Sequence, residues 1–312
     1  MKKTKEKLEF RYYDIPREDF LITRQGDGWK RIYGSDEEVL HFHDLMEIGI
    51  CHAGKGELRL EHTVIPYREG MISVIPPNYP HTTYSMNGSE NYWEYLFLDP
   101  AKILQVMYPE DILLQQKILE RINRKIFLGP ESEAPHLTAI IRRILEEMRE
   151  QKDFYRECVR GLALALLTDV SRLQGVSALV TEAGKHQRSG FDQVRPALEY
   201  IRENYASQMK IAEIAAVCHM SESHFRRLFE ESISMTPVEY LNQVRILKAC
   251  DLIKNTGSSM EEIAEKVGFT TSSTFNRNFK RVTGTSPYQW KKQPDNSEGR
   301  LADFNILIEK GW

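Results

Sequence analysis

Ile263-Ala264-Glu265-Lys266-Val267-Gly268-Phe269, then Phe275-Asn276-Arg277-Asn278-Phe279-Lys280 and Gly284-Thr285-Ser286-Pro287, is the stretch that decides how this chain is read. Met260, Ile263, Ala264 and Val267 recur at three- and four-residue steps, the spacing of one helix face. Gly268 suits a tight turn because it tolerates positive φ. Phe275, Phe279 and Val282 then form the apolar face of a second helix, leaving Ser272, Ser273, Asn276, Arg277 and Lys280 outward. The pattern is helix, tight turn, helix.

The same pattern occurs once before. Ile214-Ala215 matches Ile263-Ala264 at an offset of 49, while Phe225, Arg227 and Phe229 match Phe275, Arg277 and Phe279 at an offset of 50. Thr236-Pro237-x-x-Tyr240 matches Ser286-Pro287-x-x-Trp290 at that second offset. In this first copy Ile211, Ile214 and Ala215 make the supporting stripe. Ser221 is a good N-cap, and Glu222 lies against the positive end of the helix dipole. Phe225, Leu228 and Phe229 face inward, and Ser223, Arg226, Arg227 and Glu230 outward. Between the copies, Tyr240 to Lys254 reads as one helix, with Val244, Leu247 and Leu252 apolar. A rigid connector can hold two recognition helices about one DNA turn apart, roughly 34 Å, in successive major grooves. An outward face of Ser, Asn and Arg suits base-edge hydrogen bonding, since Arg pairs with guanine and Asn with adenine. Such faces are often merely solvated; the duplication favours the DNA reading.

Residues 193–292 resemble the DNA-binding domain of the AraC family of bacterial transcription regulators, in which a helix joins two such motifs. The resemblance implies base contacts from Ser223, Arg226 and Arg227 in the first recognition helix, and from Ser272, Ser273, Asn276 and Arg277 in the second. Two departures stand out: Ser234 replaces the family's usual Gly, and Trp290-Lys291 replaces its usual Tyr-Arg.

The rest of the chain is consistent with a sensor joined to this DNA reader. The 312 residues are comfortable for two domains, and the 41% hydrophobic share is that of a globular protein. No run approaches the ~20 apolar residues of a membrane span. Met1-Lys2-Lys3-Thr4-Lys5 leads into no apolar segment, so no signal peptide is read. Cys51, Cys158, Cys218 and Cys250 are far apart and form no C-x-x-C pair, as in a cytoplasmic protein without zinc ribbon or disulfide framework. Residues 193–292 hold 14 Lys/Arg against 11 Asp/Glu, a net of +3 within a chain of net −3. A mildly basic module beside an acidic remainder fits nucleic-acid binding.

Short apolar runs in the first third, Leu45 to Cys51, Gly56 to Leu60, Met71 to Ile75 and Tyr92 to Leu98, are separated by Gly, Pro and Asn and read as strands. They predict a small antiparallel barrel or sandwich. From Pro135 the period becomes helical: Leu137, Ile140, Ile141, Ile144 and Leu145, then Cys158, Leu162, Leu164, Ala165, Leu166 and Val170. This helical pair suits packing on the barrel or a dimer interface. Residues 174–192 lose all periodicity and read as a linker, and the tail carries an apolar patch of Phe304, Ile306, Leu307 and Ile308. The expected architecture is a two-domain α+β protein. A cupin-like antiparallel β-barrel with a helical hairpin (1–173) is followed by the linker (174–192), an all-α double helix-turn-helix domain (193–293) and a tail (294–312).

His41-Phe42-His43 and Glu47 form the notable cluster of the first domain; on a single strand they would share a face. With Gly54, and then Gly70, Pro76 and His81, they resemble the two cupin motifs, which in metal-binding cupins bring three His and one Glu to one ion. Asn78 stands where the second motif has Gly, and Ser85 where it has Asn. Three readings compete: a metal-free polar effector pocket, a divalent metal site of His41, His43, Glu47 and His81, or hydrogen-bonded interior residues. The metal-free pocket ranks first, so no cofactor is expected, with a divalent metal as the alternative. Tyr84, Trp93 and Tyr95 can stack on a sugar ring. The AraC resemblance implies a carbohydrate-type effector, by analogy of fold rather than site chemistry. The leading expectation is a cytoplasmic, homodimeric, effector-responsive regulator of double-stranded DNA, not an enzyme. The rival is a metal-dependent cupin enzyme with an accessory DNA domain.

Overall fold

The computed structural model describes residues 8–16, 19–34, 40–61, 63–123, 125–173 and 190–292, and the backbone of 299–301 and 306–310. These residues fall into two compact units. One holds the described residues between 15 and 173, with residue 310; the other joins 8–14 to those between 190 and 309.

Strand β1 (Glu9–Asp14) belongs to the second unit. The first unit contains β2 (Leu21–Arg24), β3 (Lys30–Arg31), β4 (His41–Phe42), β5 (Met46–Ala53), β6 (Lys55–Leu60), β7 (Thr63–Arg68), β8 (Met71–Ile75), β9 (His81–Ser85), β10 (Asn91–Leu98) and β11 (Phe127–Pro130). Its helices are α1 (Pro100–Met107), α2 (Ile112–Ile122), α3 (Pro135–Glu150) and α4 (Tyr155–Arg172). β5, β6, β8 and β10 fall where the apolar runs place strands, and α3 and α4 where the helical stripes lie.

The strands make two open sheets rather than the closed cupin-like barrel of the expected architecture. One has the order β11-β8-β5-β10-β2, with β3 on β10; the other contains β4-β9-β6-β7. β7 contains Pro66, which a central strand would not tolerate; β7 stands at a sheet edge, where the missing N–H costs no ladder bond. Alternation divides the six-stranded sheet that contains β5, β8 and β10. Met46, Ile48 and Ile50, Ile72 and Val74, and Leu96 and Leu98 form one core with Ile103, Leu137, Ile141, Ile144, Ala163, Leu166 and Val170 of the helices. The opposite face, with Glu47, Gly49, Ser73, Trp93, Tyr95 and Phe97, turns to the second sheet, and Tyr67 of β7 packs edge-on against Trp93 at 4.9 Å. A polar and aromatic interior thus lies between two sheets, one of them backed by a greasy helical layer.

The second unit holds α5 (Gly190–Asn204), α6 (Ile211–Val217), α7 (Glu222–Ile233), α8 (Pro237–Asn255), α9 (Met260–Lys266), α10 (Ser272–Thr283) and α11 (Pro287–Lys292). The predicted linker lies outside the described residues except for 190–192, which open α5. Capping boxes start α8 (Thr236 with Glu239) and α9 (Ser259 with Glu262), and the Ser221 hydroxyl caps α7. In the tail, β12 (Gly299–Leu301) pairs with β13 (Ile306–Lys310), which lies beside β1. Residues 8–14, assigned from sequence to the first domain, therefore lie with the second unit. Phe10 meets Tyr240 of α8 edge-on at 6.0 Å, and Tyr12 Oη donates to Asp251 Oδ1 at 2.6 Å.

Candidate functional site

Each recognition helix of the second unit is held by buried aromatics. Phe225 and Phe229 anchor α7, and Phe275 and Phe279 anchor α10, all four fully buried. A helix so anchored turns its other face to solvent: Ser223, Arg226, Arg227, Ser272, Ser273, Asn276 and Arg277 are all exposed. The two faces differ in charge. α7 carries Glu222, Glu230 and Glu231 against Arg226 and Arg227, a net of −1, whereas α10 carries Arg277, Lys280 and Arg281 with no acid, a net of +3. Arg226 Nη2 donates to Glu222 Oε1 at 2.7 Å, and Arg227 Nη1 to Glu231 Oε1 at 3.2 Å. Arg281 is tied to Glu239 of α8 at 2.9 Å. Neither Arg277 nor Lys280 has an ion pair among the described residues, and both line an open groove of about 870 Å³ with Asn276 and Tyr288.

The turns differ too. His219 (φ 55) and Gly268 (φ 91) occupy equivalent places, and Ser234 (φ 62) and Gly284 (φ 77) end the two recognition helices in the left-handed region. Ser234 thus adopts the conformation for which the family uses Gly.

In the first unit, the expectation that His41, His43 and Glu47 share one strand does not hold. His41 lies on β4 and Glu47 on β5, strands of different sheets, and the chain crosses between them at 43–45. The crossing still brings them together. His41 pairs directly with His81 of β9, and one ligand atom from each of His41, His43, Glu47 and His81 lies within 4.8 Å of the others. All four are buried. Asn78 adopts φ 55, replacing the motif's Gly by local geometry, and its N–H donates to His43 O at 2.7 Å.

Hydrogen bonds fix two of the imidazoles. His43 Nδ1 lies 3.0 Å from Leu45 O, and His81 Nδ1 2.7 Å from Tyr79 O. A carbonyl only accepts, so each Nδ1 carries the proton. Each Nε2 then faces Glu47 Oε2, at 3.2 Å and 3.1 Å respectively. Two neutral imidazole lone pairs against a carboxylate repel. The geometry is favourable only with positive charge at the cluster, as an imidazolium proton or a cation. Burial pushes the His43 imidazole below its ordinary value, against the pull of Glu47. Burial alone would raise the Glu47 carboxyl, but His81 and His43 outweigh it and hold it below the usual carboxylate range.

An aromatic row leads from this cluster. Phe97 meets His43 at 5.4 Å and Tyr95 at 6.1 Å; Tyr95 stacks on Trp93 at 5.7 Å, with planes 11° apart. The buried Trp93 Nε1–H has no acceptor among the described residues. Tyr84 is not brought into this group. It alternates with His81 and Thr83 along β9, and its ring packs over Gly34, where a Cβ would come within 2.1 Å of it. Sequence reasoning missed Trp29, Tyr33 and Tyr67, which border Trp93 and Tyr95. For Tyr67 the signal was the alternation Ile65, Tyr67, masked by the intervening Pro66. It also missed Glu94 on the helix-facing side of β10. Glu94 accepts from Tyr92 Oη at 2.6 Å and Arg149 Nη2 at 2.9 Å. Burial raises its carboxyl, but the bonds from His52 and Tyr92 prevail and lower it to about 2.

Comparison with known proteins matches these two sites to two domains. Residues 36–167 match the AraC-like ligand binding domain, and residues 198–293 a helix-turn-helix domain. The chain belongs to the AraC family of transcriptional regulators. This AraC-family regulator is 23% identical over 298 residues to the uncharacterized HTH-type transcriptional regulator YfiF of Bacillus subtilis, covering 90% of this chain and 88% of that protein. It is 24% identical to the Msm operon regulatory protein of Streptococcus mutans, covering 84% and 86%, and 22% identical to the raffinose operon transcriptional regulatory protein RafR of Pediococcus pentosaceus, covering 82% and 85%. These domains and relatives are those of a DNA-binding regulator, not an enzyme. No helix among the described residues is long and apolar enough to cross a membrane.

Proposed function

We propose that this regulator is a cytoplasmic homodimer that binds a carbohydrate between the sheets of its first unit and reads a specific DNA sequence with α7 and α10. The observation that carries the reading is α10: an exposed face of Ser272, Ser273, Asn276 and Arg277, firmly anchored by Phe275 and Phe279 and free of acidic residues. The polar and aromatic interior supports the sugar reading, with His41, His43, Glu47, His81, Trp93 and Tyr95 as its polar and stacking groups, as does one relative named for a raffinose operon. The effector acts by binding one arrangement of the protein more tightly than another. Specific binding of a selected duplex should weaken with salt, as expected when Lys and Arg displace phosphate counterions, and should weaken in Arg277→Ala and Arg227→Ala. Unchanged specific binding in both variants would sink the assigned faces. A thermal-shift screen against sugars and sugar phosphates tests the effector; no shift with any of them would leave the pocket without a sugar role.

One observation favours a second reading of the cluster. The proton positions of His43 and His81 suit a divalent transition cation held by their Nε2 atoms, Glu47 and His41, since metal-bound imidazoles commonly donate the other N–H to a backbone carbonyl. Elemental analysis of tag-free protein, with melting temperatures before and after chelation, separates the two. Stoichiometric metal and a drop on chelation support the cation; neither leaves the metal-free pocket.

A further inference from the structure

Arg245 lies within α8, the helix that joins the two motifs, yet it is only 7% exposed and has no acidic partner among the described residues. A buried cation needs compensation, and here backbone supplies it. Nε donates to Tyr205 O and Nη2 to Ser207 O, both at 2.8 Å. These carbonyls lie just beyond the C-terminus of α5, in the loop leading into the first motif, on the negative end of that helix dipole.

The other side of the guanidinium meets the second motif. It lies over the Phe269 ring, 5.5 Å from the centroid, and Phe269 packs edge-on against Phe275, the anchor of α10, at 5.6 Å. Beside it, Gln208 Nε2 donates to Gly268 O at 2.9 Å. The fit is tight: a Cβ on Gly268 would lie 2.8 Å from Tyr205 O and Ala206 O and 2.9 Å from Arg245 Nη2. The loop before the first motif and the turn of the second therefore meet around one planar side chain. Lysine would not reproduce this, because it lacks the fork that holds two carbonyls in fixed geometry and the flat face that stacks on a ring.

We propose that Arg245 is a positioning residue for DNA recognition. It pins the loop entering the first motif to the turn of the second, and so fixes the spacing at which α7 and α10 meet successive major grooves. The inference rests on the two-groove reading of this unit.

The test uses the full chain and a duplex that the wild type enriches from a randomised library, with two derivatives: one with a base pair inserted between the half-sites, one with the α10 half-site scrambled. An inserted pair rotates the second half-site by about a tenth of a turn, and the rigid wild type should lose about tenfold, the scale of one mismatched base pair. Arg245→Met should bind the parent duplex about tenfold more weakly, lose no more than about twofold further on insertion, and bind the scrambled duplex as the wild type does. Arg245→Lys should fall between them. A variant as sensitive to insertion as the wild type, or weakened equally on all three duplexes, overturns the proposal. A wild type indifferent to insertion overturns the two-groove reading, and Arg245's role with it. If Arg245→Met melts below assay temperature, Arg245→Lys is judged by the same criteria.

Discussion

The two helix-turn-helix copies share a scaffold and differ in almost everything laid on it. Both use a buried Ile-Ala pair in the supporting helix and two phenylalanines in the recognition helix. Both turn through the left-handed region, yet one does so with His219 and Ser234, the other with Gly268 and Gly284. One recognition helix balances its arginines with glutamates; the other is purely cationic. Apolar positions are constrained by a close-packed interior, where the loss of a methylene is felt. Exposed positions are not, so the copies are free to diverge there. On the proposed reading of the two faces, this difference in charge assigns most of the attraction to phosphate to the second copy and weaker electrostatic contacts to the first.

That comparison can be broken at several points. Gly268→Ala should destabilise the second unit by about 3 kcal/mol, combining left-handed strain with contact against two carbonyls, whereas His219→Ala, whose backbone already accommodates a Cβ, should cost under about 1 kcal/mol. Thermal and urea melts compare them; equal losses would mean that the two turns are not under different constraint. Next in size is the loss of DNA affinity. Arg277→Ala should weaken specific binding by about 1–3 kcal/mol and reduce the salt slope by about one, and Arg227→Ala by about a third as much. Fluorescence anisotropy across a salt series reads both, and an Arg227→Ala loss as large as that of Arg277→Ala would overturn the charge argument. Conversely, Glu222→Gln with Glu231→Gln frees both arginines of α7 and should tighten binding by up to about 1 kcal/mol, because exposed pairs hold them only weakly. The smallest effect is at the helix end: Ser234→Gly should stabilise by about 0.5 kcal/mol, the relief of strain less the entropy of a new glycine.

The second unit was legible because its information is local. Ile263, Ala264, Phe275 and Phe279 mark their faces by helical period alone, and Ser221 announces its helix as a cap. The first unit was legible only in part. Strands such as β8 stand out as apolar runs, but β7 is disguised by Pro66, and α1 hides a clear start, Asp99 capping and Pro100 in the first turn, within a region read only for strands. One premise failed and its conclusion survived: His41, His43 and Glu47 do not share a strand, yet they meet.

The sequence by itself determined the duplicated motif, the charge of each recognition face and the residue types of the histidine cluster, because period, composition and short spacings are properties of neighbours along the chain. Only the tertiary structure decided that two sheets rather than one strand assemble His41, His43, Glu47 and His81. It also set the ring protons of His43 and His81 through Leu45 and Tyr79, turned Tyr84 away, and placed Arg245 where the two motifs meet. These depend on contacts between residues distant in sequence, and such contacts exist only once the whole chain has packed.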